Sequence, residues 1–258
     1  MKNIAIVTGA SSGIGKEFFL SLPQRADKID EVWVVARNEQ ALINLQEEVN
    51  LPIKVFAVDL SKKSAVTPIK EALKQEEYTV KYCILASGFG KFSAVDEEDS
   101  EVLENMVDLN CRSILSMTKA VMPYLNETST ILLIASLASF QPIPYIATYG
   151  ATKAFVLSYG RALNRELKKS KKGRCMCVCP FWTKTAFFKR AETENKVVKK
   201  YAVMYLPQQI VDKAWKDLAH KNRDISVYGT YAKAQMLFVK LLPHQWVMNV
   251  WLAQQKLK

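Results

Sequence analysis

The sequence predicts an α/β fold: a doubly wound parallel sheet of about seven strands with helices on both faces. Three observations carry that expectation. Short apolar runs rich in β-branched residues recur at 4–8, 32–36, 53–58, 82–85, 131–135 and 175–179, with a final run at 225–228. Helix-length segments lie between them, near 13–20, 39–49, 62–75, 99–125, 147–168 and 207–220. The first run passes through a glycine-rich turn into a helix. Runs apolar on both sides suit parallel strands sandwiched between helix layers. With 258 residues, 49% hydrophobic and 24% charged, the chain can bury a large core. No Pro/Gly/Ser linker or internal repeat divides it, so residues 1–258 are expected to form a single domain.

The first strand ends in Thr8-Gly9-Ala10-Ser11-Ser12-Gly13-Ile14-Gly15-Lys16. Its glycines let the backbone turn tightly and approach a ligand with no Cβ in the way. Free N–H groups at the start of the following helix suit a pyrophosphate. An ATP-type phosphate loop would need glycine at position 10 and Ser or Thr at 17, where this chain has Ala10 and Glu17. The second strand ends in Val34-Val35-Ala36-Arg37-Asn38. A carboxylate there would accept hydrogen bonds from an adenosine ribose, whereas an arginine accommodates a 2′-phosphate. Arg37 without an accompanying acid predicts NADP(H) as cofactor.

The fifth strand ends in a hydroxyl cluster, Ser136-Leu137-Ala138-Ser139, and thirteen residues after Ser136 comes Tyr149. Tyr149 and Lys153 open a long helix at a spacing of four, which places phenol and ammonium on one face. A neighbouring positive charge favours phenolate, so the expectation is a tyrosine pKa lowered toward working pH, as a general acid/base requires. The sixth strand carries Cys175, Cys177 and Cys179 at alternate positions, hence on one face. No histidine or second cysteine pair lies nearby to complete a metal site, so they are expected as small buried apolar residues, with no metal.

Taken together, these motifs resemble the short-chain dehydrogenase/reductase family, whose fold is Rossmann-type. The resemblance spans about residues 2–228. It implies that the turn holding Gly9, Ser11, Ser12, Gly13, Ile14 and Gly15 binds cofactor, and that Asp59, with Leu60 beside it, contacts the adenine. Asn110, Ser136, Tyr149 and Lys153 then match a catalytic tetrad. Asn110 would hold a water in a proton relay, Ser136 would hydrogen-bond the carbonyl oxygen, and Tyr149 would supply the proton. Lys153 would also bind the nicotinamide ribose, and Gly88, Thr183 and Thr185 would complete the cofactor contacts. Two departures stand out. After the fourth strand the chain reads Leu85-Ala86-Ser87-Gly88 where the family usually has Asn-Asn-Ala-Gly, which leaves support for the central strand open. After the sixth it reads Pro180-Phe181 in place of Pro-Gly.

The implied substrate is a small-molecule carbonyl or alcohol. Phe187, Phe188, Tyr201, Met204 and Tyr205 in a substrate loop at about 186–206 either line an apolar pocket or pack that loop onto the body. The segment from Gln141 to Tyr145 is expected to form another wall. A bulky hydrophobic ketone of steroid, bile acid or acyl type suits such a pocket; a 3-oxoacyl thioester reductase and a non-catalytic dinucleotide-binding regulatory module are the alternatives. The apolar extension at 231–258, broken by Pro243, is expected to cover the pocket, pack in a homo-oligomer or rest peripherally on a membrane. The net charge of +11 is spread over helix faces, apart from a basic turn at 168–174. No nucleic-acid-binding motif accompanies it, so no nucleic acid partner is expected. Met1-Lys2 runs straight into the first strand, which leaves no signal peptide and makes a cytoplasmic location the expectation.

Overall fold

The computed structural model describes residues 1–192 and 197–257. Seven parallel strands form one sheet in the order β3-β2-β1-β4-β5-β6-β7. They are β1 Lys2–Thr8, β2 Glu31–Ala36, β3 Ile53–Ala57, β4 Tyr78–Leu85, β5 Thr130–Ile134, β6 Arg174–Val178 and β7 Ile225–Ser226. The chain winds outward from β1 to β3, then crosses to the other side of β1 and winds outward again. The reversal between β1 and β4 opens a crevice at the carboxyl ends of the strands, where ligands bind in such sheets.

Helices α1 Gly13–Arg25, α2 Glu39–Ile43, α3 Thr67–Leu73, α4 Ser100–Val107, α5 Ser113–Val121 and α6 Ala147–Lys169 follow the strands in turn. The last part adds α7 Phe187–Ala191, α8 Pro207–Leu218, α9 Thr230–Leu241 and α10 His244–Gln255. Alternate strand residues feed two cores, as the period of two demands. Ala5, Val7, Val32 and Val34 pack against Phe18 and Phe19 of α1 and Trp215 of α8. Ile4, Ile6, Trp33 and Val35 face the opposite layer, which holds α3, α5 and α6. Cys175, Cys177 and Cys179 all join that second core. Burial pushes their thiols well above the ordinary value, Cys177 to about 12, so they remain protonated apolar packing groups.

Several boundaries differ from expectation for local reasons. Strand β4 starts four residues earlier than expected, because Tyr78, Thr79 and Val80 pair with Lys2, Asn3 and Ile4 before a register shift. The helix expected over 99–125 is interrupted by a π turn at Asp108–Arg112, which separates α4 from α5. The segments at 39–49 and 62–75 each contain a short 3-10 turn beside a shorter helix; Pro68, which lacks an N–H, sits in the first turn of α3. Pro243 ends the α9 segment as expected and caps α10. The basic turn is not wholly solvated. Arg174 donates to the carbonyls of Leu218 and His220 at 2.8 and 3.3 Å, tying β6 to the end of α8.

Candidate active site

At the end of β1 the backbone turns through Gly9 and Gly13, at φ +68° and +59°. A Cβ on Gly15 would lie 2.3 Å from the Gly9 carbonyl oxygen, so only glycine lets α1 start this close to β1. The Thr8 hydroxyl accepts from the backbone N–H groups of Ala86 at 3.0 Å and Ser87 at 3.1 Å. That cross-link joins the ends of β1 and β4 across the crevice. The altered Leu85-Ala86-Ser87-Gly88 segment therefore keeps central-strand support, through a Thr8 contact that needs only its backbone.

A cavity of about 490 Å³ opens on this crevice. Ser11, Ser12, Ile14 and the three loop glycines line its first part. Arg37, Asp59, Leu60 and Gly88 border it, and Thr183 and Thr185 face it after β6. Arg37 is exposed and forms no salt bridge among the described residues. For Asp59, burial raises the carboxyl pKa, but hydrogen bonds from the Ser61 N–H and hydroxyl and the charges of Arg37 and Lys62 bring it below the ordinary value. A glycine cradle, free α1 N–H groups and an unbridged arginine at the end of β2 fit a dinucleotide carrying an extra phosphate.

Ser136, Tyr149 and Lys153 line the same cavity. The Lys153 ammonium is buried and donates to the Ile134 carbonyl at 2.7 Å, 5.7 Å from the Tyr149 ring centre. Its pKa falls from 10.5 to about 8, because burial penalises the charge. The Tyr149 phenol moves the opposite way, to about 12: burial raises it, and a hydrogen bond with Ser136 opposes the rise. This corrects the expectation of a lowered phenol pKa. The reason is physical: the ring lies against Phe187 at 5.4 Å, while the lysine spends its short hydrogen bond on a backbone carbonyl.

Ser139 was not expected in the site, yet it pins the end of β5 to α6. Its hydroxyl accepts from the Ser136 N–H at 3.2 Å and donates to the Lys153 carbonyl at 2.7 Å. Asn110 does not line the cavity; it is buried behind the wall. Its amide donates to the Phe89 carbonyl at 2.8 Å and the Thr152 hydroxyl at 3.0 Å, and its oxygen accepts from the Phe89 N–H at 3.1 Å. The side chain is thus committed to fastening the β4 exit onto α6. Gly90, also unforeseen, gives Tyr149 its room: a Cβ there would come within 2.7 Å of the ring.

Beyond Tyr149 the cavity becomes aromatic. Phe92, Phe181, Trp182, Phe187, Phe188 and Trp251 line it, joined by Gln141 and Ile143 of the expected second wall. Tyr145 of that wall does not line the cavity. Of the loop aromatics, Tyr201 packs edge-on to Trp182 at 5.1 Å and Tyr205 to Tyr228 at 5.0 Å, so the loop both lines the pocket and packs on the body. Residues 193–196 of the expected substrate loop lie outside the described residues. Helix α10 closes over this end. The Trp251 indole donates to the Pro144 carbonyl at 3.0 Å, and Gln255 accepts from the N–H groups of Lys199 and Lys200 at 2.8 and 3.0 Å. Of the placements considered for the extension, covering the pocket is one that the structure shows.

Comparison with known proteins gives the family and the fold. Residues 3–196 match the short chain dehydrogenase family. An uncharacterized oxidoreductase of Staphylococcus epidermidis is 32% identical over 171 residues, covering 66% of this chain and 73% of that protein. A very-long-chain 3-oxoacyl-CoA reductase of Neurospora crassa is 34% identical over 177 residues, 64% of this chain but only 51% of that one. The solved short-chain dehydrogenase from Sphingobium yanoikuyae in complex with NADPH superposes with a TM-score of 0.77 at 23% identity, covering 96% of each chain. At that identity the likeness is one of fold. On the match over residues 3–196, the chain belongs to the short chain dehydrogenase family of oxidoreductases.

Proposed function

We propose that the protein is an NADP(H)-dependent oxidoreductase that interconverts a ketone and a secondary alcohol on a bulky hydrophobic substrate. The observation that carries this reading is the convergence of Ser136, Tyr149 and Lys153 where the glycine-lined part of the cavity meets its aromatic part. When bound, the nicotinamide supplies or accepts the hydride. The protein's own residues position the substrate oxygen and move one proton. Ser136 hydrogen-bonds that oxygen. Tyr149, whose high pKa keeps its proton in place at neutral pH, donates it from Oη. The Lys153 ammonium offsets the negative charge left on the phenol. Asn110 holds the β4 exit and α6 in register, and a water at its backbone would pass protons toward Lys153.

The aromatic wall supports a substrate of steroid, bile acid or acyl type, because apolar pockets with few polar groups select by shape and buried area. A 3-oxoacyl thioester reductase is the second reading, favoured by the likeness to the Neurospora crassa reductase. A regulatory module without chemistry has no need of Ser136, Tyr149 and Lys153 in one cavity. The test is a panel of steroid ketones, 3-oxoacyl thioesters and small polar ketones, assayed with NADPH and NADH. NADPH is expected to be preferred, and Arg37→Ala should reduce that preference about 10- to 100-fold through lost charge-assisted hydrogen bonds. A wild-type preference for NADH contradicts the cofactor assignment. Turnover confined to small polar ketones contradicts the substrate class.

A further inference from the structure

Helices α9 and α10 each carry two faces. Tyr231 and Gln235 of α9 line the cavity, as do Trp251, Gln254 and Gln255 of α10. Each helix also exposes large apolar side chains to solvent. Leu237 and Leu241 lie four apart on α9, with Phe238 beside them, and Trp246 and Val250 lie four apart on α10; all five are exposed. Exposure of these apolar side chains is greatest beside the bend between the helices, with Leu241 83% and Trp246 63% exposed. The charge along this carboxyl-terminal stretch of sequence has one sign. After Asp224 the sequence contains Lys233, Lys240, Lys256 and Lys258 and no aspartate or glutamate. Lys233 and Lys240 are exposed at positions adjoining the apolar face, and the Lys240 ammonium lies 5.1 Å from the Phe140 ring centre.

We propose that the exposed apolar side chains of α9 and α10 about the bend at 242–243 form a docking surface for an anionic lipid bilayer. Exposed aliphatic side chains and a tryptophan at a helix bend, bordered by lysines, match what the boundary between headgroups and acyl chains accommodates. Basic residues beside such a face are drawn to anionic lipid. A second copy of the chain answers the charge poorly, since a two-fold contact would set the same lysines against each other. No helix among the described residues is long and apolar enough to cross a membrane, so the two helices would lie on the surface. Docking there sets the two helices that wall the aromatic part of the cavity against lipid.

The experiment is co-sedimentation of the full chain with vesicles of phosphatidylcholine alone and of phosphatidylcholine mixed with phosphatidylglycerol, read as bound protein and therefore independent of any reaction. Sedimentation with the anionic vesicles is expected, weakening as salt is added. A Leu241→Glu, Trp246→Glu double variant should reduce it on the order of tenfold or more, with thermal melting unchanged because both sites are exposed. Absence of anionic-vesicle binding, or binding untouched by the double variant, overturns the proposal. So does a wild-type dimer without vesicle binding that the double variant converts to monomer.

Discussion

Lys153 is buried at the end of β5 with one hydrogen bond to a backbone carbonyl, and this sets its pH behaviour. Its pKa of about 8 lies below the ordinary 10.5, so the ammonium is lost as pH rises through about 8. The unfolded chain keeps that proton up to the ordinary value. Between the two values the unfolded state therefore binds more protons, and this residue's contribution to stability rises with pH. The penalty for burying the charge is fully present below about 8. Activity should run the other way. Carbonyl reduction is expected to decline above about pH 8 while Lys153's stability contribution grows. Steady-state rates and thermal melts across that window check both trends, and Lys153→Met should flatten its share of the stability trend. A reduction rate that climbs through the window would contradict the role given to the ammonium. The spacing that joins Tyr149 to Lys153 was legible in sequence because helical geometry alone sets it. The direction of the phenol's shift was not, because it depends on burial of the ring, which packs against Phe187, thirty-eight positions away in the chain.

Helix α6 delivers both residues, and its seat on the sheet depends on Gly160. A Cβ there would lie 2.4 Å from the Cys177 sulfur and 2.9 Å from Leu133 Cδ1, both in fully buried side chains. Alanine normally favours a helix interior, but here overpacking opposes that gain. Gly160→Ala is expected to lower stability by about 1–3 kcal/mol, measurable by chemical denaturation. By displacing α6 it should also lower the turnover number more than it changes cofactor affinity. Unchanged or increased stability would contradict this packing account. Strand and helix order could be read from periodicity, because each strand is buried on both faces. The π turn at Asp108–Arg112 could not, since one extra residue barely disturbs the apolar pattern on either side. Nor could the seat of α10, which Trp251 finds on Pro144, 107 positions away.

At the scale of the molecule, the reversal between β1 and β4 makes the crevice, and the loops after β4, β5 and β6 fill it with the cavity's lining. The glycine loop, Arg37 and the Ser136, Tyr149 and Lys153 group were visible in sequence because each is a local motif. Their assembly around one cavity follows from the strand order. Asn110 was visible too, but not its place behind the wall, which comes from long-range hydrogen bonds to Phe89 and Thr152. The central claim is that Tyr149 donates the proton. The most direct measurement is NADPH oxidation in the presence of a hydrophobic ketone by Tyr149→Phe beside the wild type, with NADPH binding followed separately by fluorescence. Loss of about 100- to 10,000-fold in turnover, with binding retained, is the predicted result. Turnover near the wild-type rate would contradict the claim.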